Sequence, residues 1–461
     1  MATELLAIRQ LIPFVGSGTE IIAIIISGVL LPLAIGYEAG GRAYGKAWTQ
    51  KRGRAALPSV RRILKVNIVS SLVILGLGLS YAFLEVFFAS LAILGITNRL
   101  LETSIYAGLF LVMPVYKLGQ TVPLISNYFS RRRLSEITGK MLFFSTGGSF
   151  LGSIFSTLVL MTTLGVHNTV VITLGLLCLL LMIISGRRAY ADQILAVMLF
   201  AGIFFLNSPE TLRFFHIVSD NNYNTVSVMD SPSKDATLFI VNRSASSGLF
   251  KNPEKRFSYV AYIEKHILQP LLTPESAPHD ILVIGAGGFT MGLNDTHNHF
   301  TFVDIDPALK EVAEQSFLHH KLTPNKRFIA SSARAFVHNG KETYDVIILD
   351  TYTNMISIPM ETTTREYLMD VKKMLKPGRV LTVNVVASPS FGDKFSVRYD
   401  NTFSSVFPRH TRQIVWPDGE GGASHNDPDV ANVLYLFYNN CLSNDAAIYT
   451  DDKNTYSLDR K

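Results

Sequence analysis

Two apolar strands in the second half of this chain end in aspartate and a third ends in a glycine cluster, the residue types that hold and react with an adenosine-type ligand. Residues 281–290 read Ile-Leu-Val-Ile-Gly-Ala-Gly-Gly-Phe-Thr, a buried strand running into a glycine turn. At Gly285, Gly287 and Gly288 the missing side chain lets a ligand approach the backbone and lets the chain turn sharply. The next strand ends in Phe302-Val-Asp-Ile-Asp306, about 20 residues on, where an acid accepts both hydroxyls of a ribose. Asp304 is assigned to that role. Asp306 is well placed to cap the helix opening at Pro307, and a capping role for Asp304 itself stays open.

The third strand, Asp345-Val-Ile-Ile-Leu-Asp350, ends in a carboxylate at the sheet edge where open α/β sheets place ligands. A carboxylate beside a sulfonium cosubstrate can take a proton from an attacking amine, which needs its lone pair free. A turn-forming Asp350 is the alternative. The glycine loop lacks the full dinucleotide spacing, because position 290 is Thr, and no Gly-Lys-Ser/Thr phosphate loop occurs. Both facts point to an adenosine ligand without a pyrophosphate, S-adenosylmethionine or a relative.

The elements that must position these groups alternate. Strand character occurs at Asn224–Met229, Ala236–Val241, Ile281–Ile284, Phe300–Val303, Arg327–Ala330, Val346–Leu349 and Val380–Val385. Helical patterning covers Arg256–Leu272, Ala308–His319 and Thr364–Leu375, the last stopped by Lys376-Pro-Gly378. Such alternation predicts a parallel, doubly wound sheet. The polar tail after about Asn439 is expected to be mobile.

The first half differs. Of the 461 residues 48% are hydrophobic and 17% charged, an average over two unlike halves. Runs near the 20 residues needed to cross a bilayer lie at Phe14–Gly36, Val66–Ile96, Ser104–Ile125, Met141–Gly165 and Thr169–Ser185, with a weaker one at Ala191–Leu206. The N-terminus, with Glu4 and Arg9, does not read as a cleaved leader. Glu20 and Glu38 sit near span ends, and Glu85 is the intramembrane carboxylate of interest. The net charge of +6 comes largely from loops beside these runs, a topology signal rather than a nucleic-acid footprint. The cysteines, Cys178 and Cys441, form neither a metal cluster nor an expected disulfide.

Basic residues cluster from Arg42 to Lys65, from Arg131 to Lys140 and at Arg187-Arg188, which the positive-inside rule places in the cytoplasm. If Ala191–Leu206 crosses, everything after Asn207 lies outside. That segment is short for a span, so the expectation is that it lies along the interface or re-enters.

Taken together, the second half resembles the spermidine synthase family of aminopropyltransferases over roughly Asn221 to Val386. The residues are Tyr223-Asn224, Phe257-Ser-Tyr259, the 283–288 glycine loop, Val303–Asp306, Ser332-Ala-Arg334, Asp345–Asp350, Thr364–Tyr367 and Lys376-Pro-Gly378. The first half, with Gly36–Arg42, Gly119–Pro123 and Gly148–Gly152, resembles the integral-membrane members of that family in bacteria. The resemblance implies transfer of an aminopropyl group from decarboxylated S-adenosylmethionine, as cosubstrate and with no prosthetic group or metal, to an amine such as putrescine.

It further implies Asp350 as general base, Tyr259 and Tyr223 at the amine, Asp304 on the ribose, and Gly285, Gly287, Gly288 and Ser332 around the cosubstrate. Four positions depart from the family: Gly288, Ser332 and Thr353 stand where it has acids, and Val260 where it has a polar residue. Glu264, Glu361 or Asp230 are candidates to compensate, Glu264 being taken as substrate-binding.

The expected architecture is a multi-span α-helical membrane domain (1–207), a small β-rich lead-in plus helix (208–275), a Rossmann-like, methyltransferase-type α/β domain (276–440) and a tail (441–461). Expected partners are membrane lipid, polyamines and adenosyl-sulfonium molecules, not nucleic acid, with homo-oligomers left open. A donor made in the cytosol requires a cytosolic site, so the soluble domain is expected on the cytoplasmic face of the bacterial inner membrane. Two other readings remain: a methyltransferase on the same fold, against which Asp350-Thr-Tyr-Thr-Asn354 lacks the expected amine-methylating motif, and a polyamine sensor or transporter without turnover.

Overall fold

A computed structural model describes residues 1–50, 56–126, 134–272, 277–354, 357–416 and 430–439, with backbone alone at 43–50, 56–59 and 134–135. Cys441, the 441–461 tail and Arg131–Arg133 lie outside the described residues.

The first half is helical. Helix α1 (Ala2–Val15) ends at Gly16, whose φ of 84° breaks the chain before α2 (Thr19–Gln50). The expected run from Phe14 is therefore two helices, because a left-handed backbone cannot continue an α-helix. Helices α3 (Ala56–Gly78) and α4 (Tyr81–Ile93) meet at a 71° bend. Then follow α5 (Arg99–Ser126) and the run Glu136–Ser185. At 50 residues that run would be about 75 Å long if straight. Gly165, at φ 81° and ψ 173°, divides it into α6 (136–164) and α7 (166–185), as its hydropathy suggests. Among the described residues four helical runs are long and apolar enough to cross a membrane, or five if the bent pair is one span, with Glu136–Ser185 counted as one run. Their outward faces are apolar: Leu31 is 65% exposed, Phe143 72%, Ile183 68% and Phe205 67%, a surface that water does not favour.

The segment 191–206 belongs to a longer helix than its hydropathy suggests. Helix α8 (Tyr190–Leu206) continues as α9 (Pro209–Phe214) into a 25-residue candidate span. It runs beside α3 from end to end: Asp192 pairs with Lys65, Ile203 packs at Gly76, and the Ser80 hydroxyl donates to the Leu206 carbonyl. The same geometry sorts the bundle's ends. Arg42, Arg61, Arg62, Lys65, Lys140, Arg187 and Arg188 gather at one end, where Arg61 donates to the Ile184 carbonyl. The α/β half docks at the other, against Gly16, Arg99 and Gly165.

A four-stranded antiparallel sheet follows, β1 (Ile217–Asp220), β2 (Thr225–Asp230), β3 (Ala236–Val241) and β4 (Ser244–Phe250), in sequential order. Helix α10 (Ser258–Ile263) leads into the main sheet. That sheet has the order β10-β11-β9-β8-β5-β6-β7, from β5 (Asp280–Ile284), β6 (His299–Asp304), β7 (Lys326–Ala330), β8 (Tyr344–Leu349), β9 (Leu375–Ala387), β10 (Thr411–Val415) and β11 (Ala431–Tyr438). Five strands are parallel and β10 and β11 antiparallel, giving a mixed, methyltransferase-type α/β sheet rather than a wholly parallel one. Strands β5 and β8 are adjacent and apolar throughout because both faces are covered. Their carboxyl ends form the switch point where the strand order reverses.

Candidate active site

A cavity of ≈ 1010 Å³ opens at that switch point. Gly285, Gly287, Asp304, Ser332 and Asp350 line it on the sheet side, and Tyr223, Tyr259 and Tyr352 face them. Gly285 (φ 96°) and Gly287 (φ 49°) have the left-handed backbone that glycine tolerates. A Cβ on Gly285 would lie 2.0 Å from the Asp350 carbonyl oxygen, so the β5 turn touches the end of β8 directly.

Asp350 is held on both oxygens. The Tyr259 hydroxyl donates to Oδ2 at 2.8 Å and the Asn384 amide to Oδ1 at 2.9 Å. Asn384 is fixed in turn by Asn432, whose amide donates to it at 2.9 Å. Burial raises the Asp350 carboxyl above the usual aspartate range, opposed by the Asn384 and Tyr259 hydrogen bonds. Burial, and then the Asp350 charge, raises the Tyr259 hydroxyl far above the usual tyrosine range, so it stays a donor. The result is a carboxylate that is oriented and more basic than one in water, suited to taking a proton from an amine.

Asp304 ties two loops together, accepting from the Ala286 N–H at 3.0 Å and the Asp306 N–H at 3.1 Å. Burial pushes its carboxyl up to about 6 against the pull of those N–H groups. Asp306 accepts from Ala308 N–H at 3.0 Å in the turn before the helix, which begins at Leu309 after Ala308, so the side chain closes that turn rather than capping the helix itself. Ser332 both lines the cavity and caps the helix Ala333–Asn339, its Oγ accepting from Ala335 N–H.

Two assignments change. Gly288 does not line the cavity: its N–H donates to Ser247 Oγ, and a Cβ there would sit 2.6 Å from the Phe317 ring. The glycine is needed for packing under the loop, not for ligand approach. Glu264 is absent from the lining as well, because it accepts from Gly292 N–H at 2.9 Å and faces Arg256 at 3.7 Å. Asp230 is likewise elsewhere, taken by Thr237. Of the three candidate compensating acids, Glu361 alone reaches the cavity. Glu85 pairs with Arg243 in the seam between the two halves, which removes it as an intramembrane site.

Several site residues escaped the sequence reading. Asn384 was signalled by a polar side chain inside an apolar strand. Ile12, Ser17, Glu20 and Arg99 had no local signal: they come from the helical half and wall the cavity mouth. The lining is electrostatically lopsided. The lining carries the acids Glu20, Asp304, Asp350, Glu361 and Asp393; of its cations, Lys255, Arg243 and Arg256 are each paired with an acid outside it, which leaves Arg99, bonded to Ser357, as the counterweight. A cavity so lined favours a cationic ligand.

Residues 262–417 match the family model of the spermine/spermidine synthase domain. A polyamine aminopropyltransferase of Vibrio vulnificus is 28% identical over 165 residues, covering 34% of this chain and 54% of the relative. Polyamine aminopropyltransferase 2 of Pseudomonas aeruginosa is 28% identical over 162 residues, covering 33% and 46%. Among solved structures, a probable spermidine synthase from Corynebacterium glutamicum matches with a TM-score of 0.39 at 18% identity, covering 50% of this chain and 80% of that one. The spermidine synthase of Thermotoga maritima matches at 0.37 and 16%, covering 49% and 73%. The chain spans about half the length of the curated relatives it matches.

Proposed function

We propose that this chain, whose residues 262–417 form a domain of the spermine/spermidine synthase family, is a membrane-anchored aminopropyltransferase. The observation that carries the reading is the Tyr259–Asp350–Asn384 arrangement at the lip of the glycine loop. The donor's adenosine lies along Gly285 to Gly287 with its ribose on Asp304. An amine in the outer cavity, its charge facing Glu20 and Glu361, gives a proton to Asp350. The freed nitrogen lone pair then attacks the methylene carbon beside the sulfonium. The C–N bond forms, the C–S bond breaks, and its electrons neutralise the sulfur, releasing methylthioadenosine. Glu20 and Glu361 take over the work of the acids missing at positions 288 and 353.

The test is to incubate the full-length protein with decarboxylated S-adenosylmethionine and a panel of amines, putrescine included, and follow methylthioadenosine. No release with any amine defeats the reading.

A second reading, a polyamine-binding sensor without turnover, is favoured by one observation. Arg61 and Lys65 lie at the end of the bundle beside Gly186 and Asp192, away from the α/β half, and the positive-inside rule then favours that half lying outside the cytoplasm. The transferase reading needs it inside, where the donor is made. A reporter fused after Lys461 separates the two: cytoplasmic activity supports the transferase, periplasmic activity the sensor.

A further inference from the structure

The two halves meet through a buried polar network that begins on α1 and ends at the ribose-binding acid. Arg9 is 5% exposed. Its Nε donates to the Asn221 carbonyl at 2.8 Å, its Nη2 to Thr225 Oγ1 at 3.2 Å, and Asp220 Oδ1 lies 3.5 Å away. Asn221 stands at the centre. Its Oδ1 accepts from the N–H groups of Tyr223 (2.8 Å) and Asn224 (3.0 Å), and its Nδ2 donates to Asp306 Oδ1 at 2.9 Å. The Asn224 amide takes the other Asp306 oxygen at 3.2 Å. Asp306 is fully buried, and its N–H is the donor to Asp304 Oδ1. A branch runs through Asn242, which donates to Asn224 Oδ1 and to the Thr353 carbonyl, each at 2.9 Å, in the loop after Asp350.

We propose that Arg9 of the helical half is a positioning residue for the nucleotide end of the cavity, holding Asn221 so that Asp306 and hence Asp304 keep the orientation that receives the ribose. This rests on the reading of Asp304 as the ribose acid. A buried network of this kind holds its geometry only while every member is satisfied. Removing the guanidinium leaves the Asn221 carbonyl without that donor and Asp220 without its cationic partner, with only the Thr225 hydroxyl and the His167 N–H still donating to it, and the 221–224 segment shifts in response. Asp306 sits two hydrogen bonds from Arg9, so the shift reaches the donor site without Arg9 touching the ligand. The helical half thus takes part in ligand binding rather than serving as an anchor alone.

The experiment measures methylthioadenosine binding by calorimetry to the full-length protein in detergent, so no turnover is needed. Arg9→Gln is compared with Arg9→Lys and with Glu85→Gln, which loosens the same seam through Arg243 without entering the network. Arg9→Gln is expected to weaken binding at least tenfold and Arg9→Lys by less, with Glu85→Gln unchanged. Equal binding by Arg9→Gln and wild type overturns the inference. So does an equal weakening by Glu85→Gln, which would mean general loosening of the seam. If Arg9→Gln fails to fold, Arg9→Lys decides alone: binding equal to wild type overturns the inference and a weakening of threefold or more supports it. Wild-type protein that binds no methylthioadenosine defeats the nucleotide reading and this inference with it, an outcome distinct from the others.

Discussion

Replacing Asp350 by Asn removes the base while keeping its shape. The new amide oxygen can face the Asn384 amide, and the new NH2 can face the Tyr259 hydroxyl, which rotates to accept. The contacts at 2.9 and 2.8 Å therefore persist with one polarity reversed. A positioned base contributes roughly 10²–10⁴-fold, so kcat falls by that factor, or about 3–5 kcal/mol of transition-state stabilisation. Stability moves the other way. Burial raises the Asp350 carboxyl, so the folded protein binds that proton more readily than the unfolded chain. Its favourable contribution is full below the unfolded pKa and is lost as pH rises through the folded one. Above the folded pKa the wild type carries a buried charge that Asn lacks, and there the variant should melt no lower. The assay pairs methylthioadenosine release with a thermal melt at the same pH. An unchanged rate refutes the assignment of the base. A slow variant that also melts far below wild type refutes the argument that the scaffold is preserved.

Asn384→Leu leaves Asp350 Oδ1 without its donor, a charged hydrogen bond worth about 1.5–3 kcal/mol. Activity should drop roughly tenfold and the acid limb of the pH–rate profile should move to higher pH; a limb that stays put argues against the role of Asn384. Glu20→Gln should raise the KM for a diamine up to about fivefold at unchanged kcat, the scale of a solvent-exposed charge pair. Added salt should shrink that difference, and equal KM values for variant and wild type remove Glu20 from the acceptor site. Asp304, with its carboxyl pushed up to about 6, makes the ligand-free protein lose stability as pH rises from 3.8 to that value, on the order of 3 kcal/mol. Denaturation measured across this range should show the step in wild type and not in Asp304→Asn; a step that persists places its origin in another group.

The strands carrying the site were legible because each is a continuous apolar run closed by glycine or acid. Ala236–Val241 falls on its predicted bounds and β5 and β6 within a residue of theirs. Asp350, Asp304 and Tyr259 meet at one cavity as their positions after strands and on a helix implied. What was not legible depends on contacts between distant parts of the chain. Gly288 looks like its neighbours in sequence, yet the loop turns it under Phe317, and Glu264 looks free until Gly292 and Arg256 come to it from elsewhere in the fold. The strands β10 and β11 are closed by neither glycine nor acid, so they lacked the mark that the site strands carry. Hydropathy alone saw a short run at 191–206; packing along α3 made it a full-length helix.

The seam at Arg9 also bears on the order in which the chain matures. Arg9 leaves the ribosome 211 residues before Asp220, and nearly the whole bundle is made in between. Until β1 and β2 exist, its guanidinium lacks its Asn221, Thr225 and Asp220 partners, although the apolar face of α1 already packs in the bundle. A product cut short before residue 225 leaves that set of contacts incomplete. Helix α1 can therefore complete its polar contacts only after α9 is made and β1 and β2 have formed.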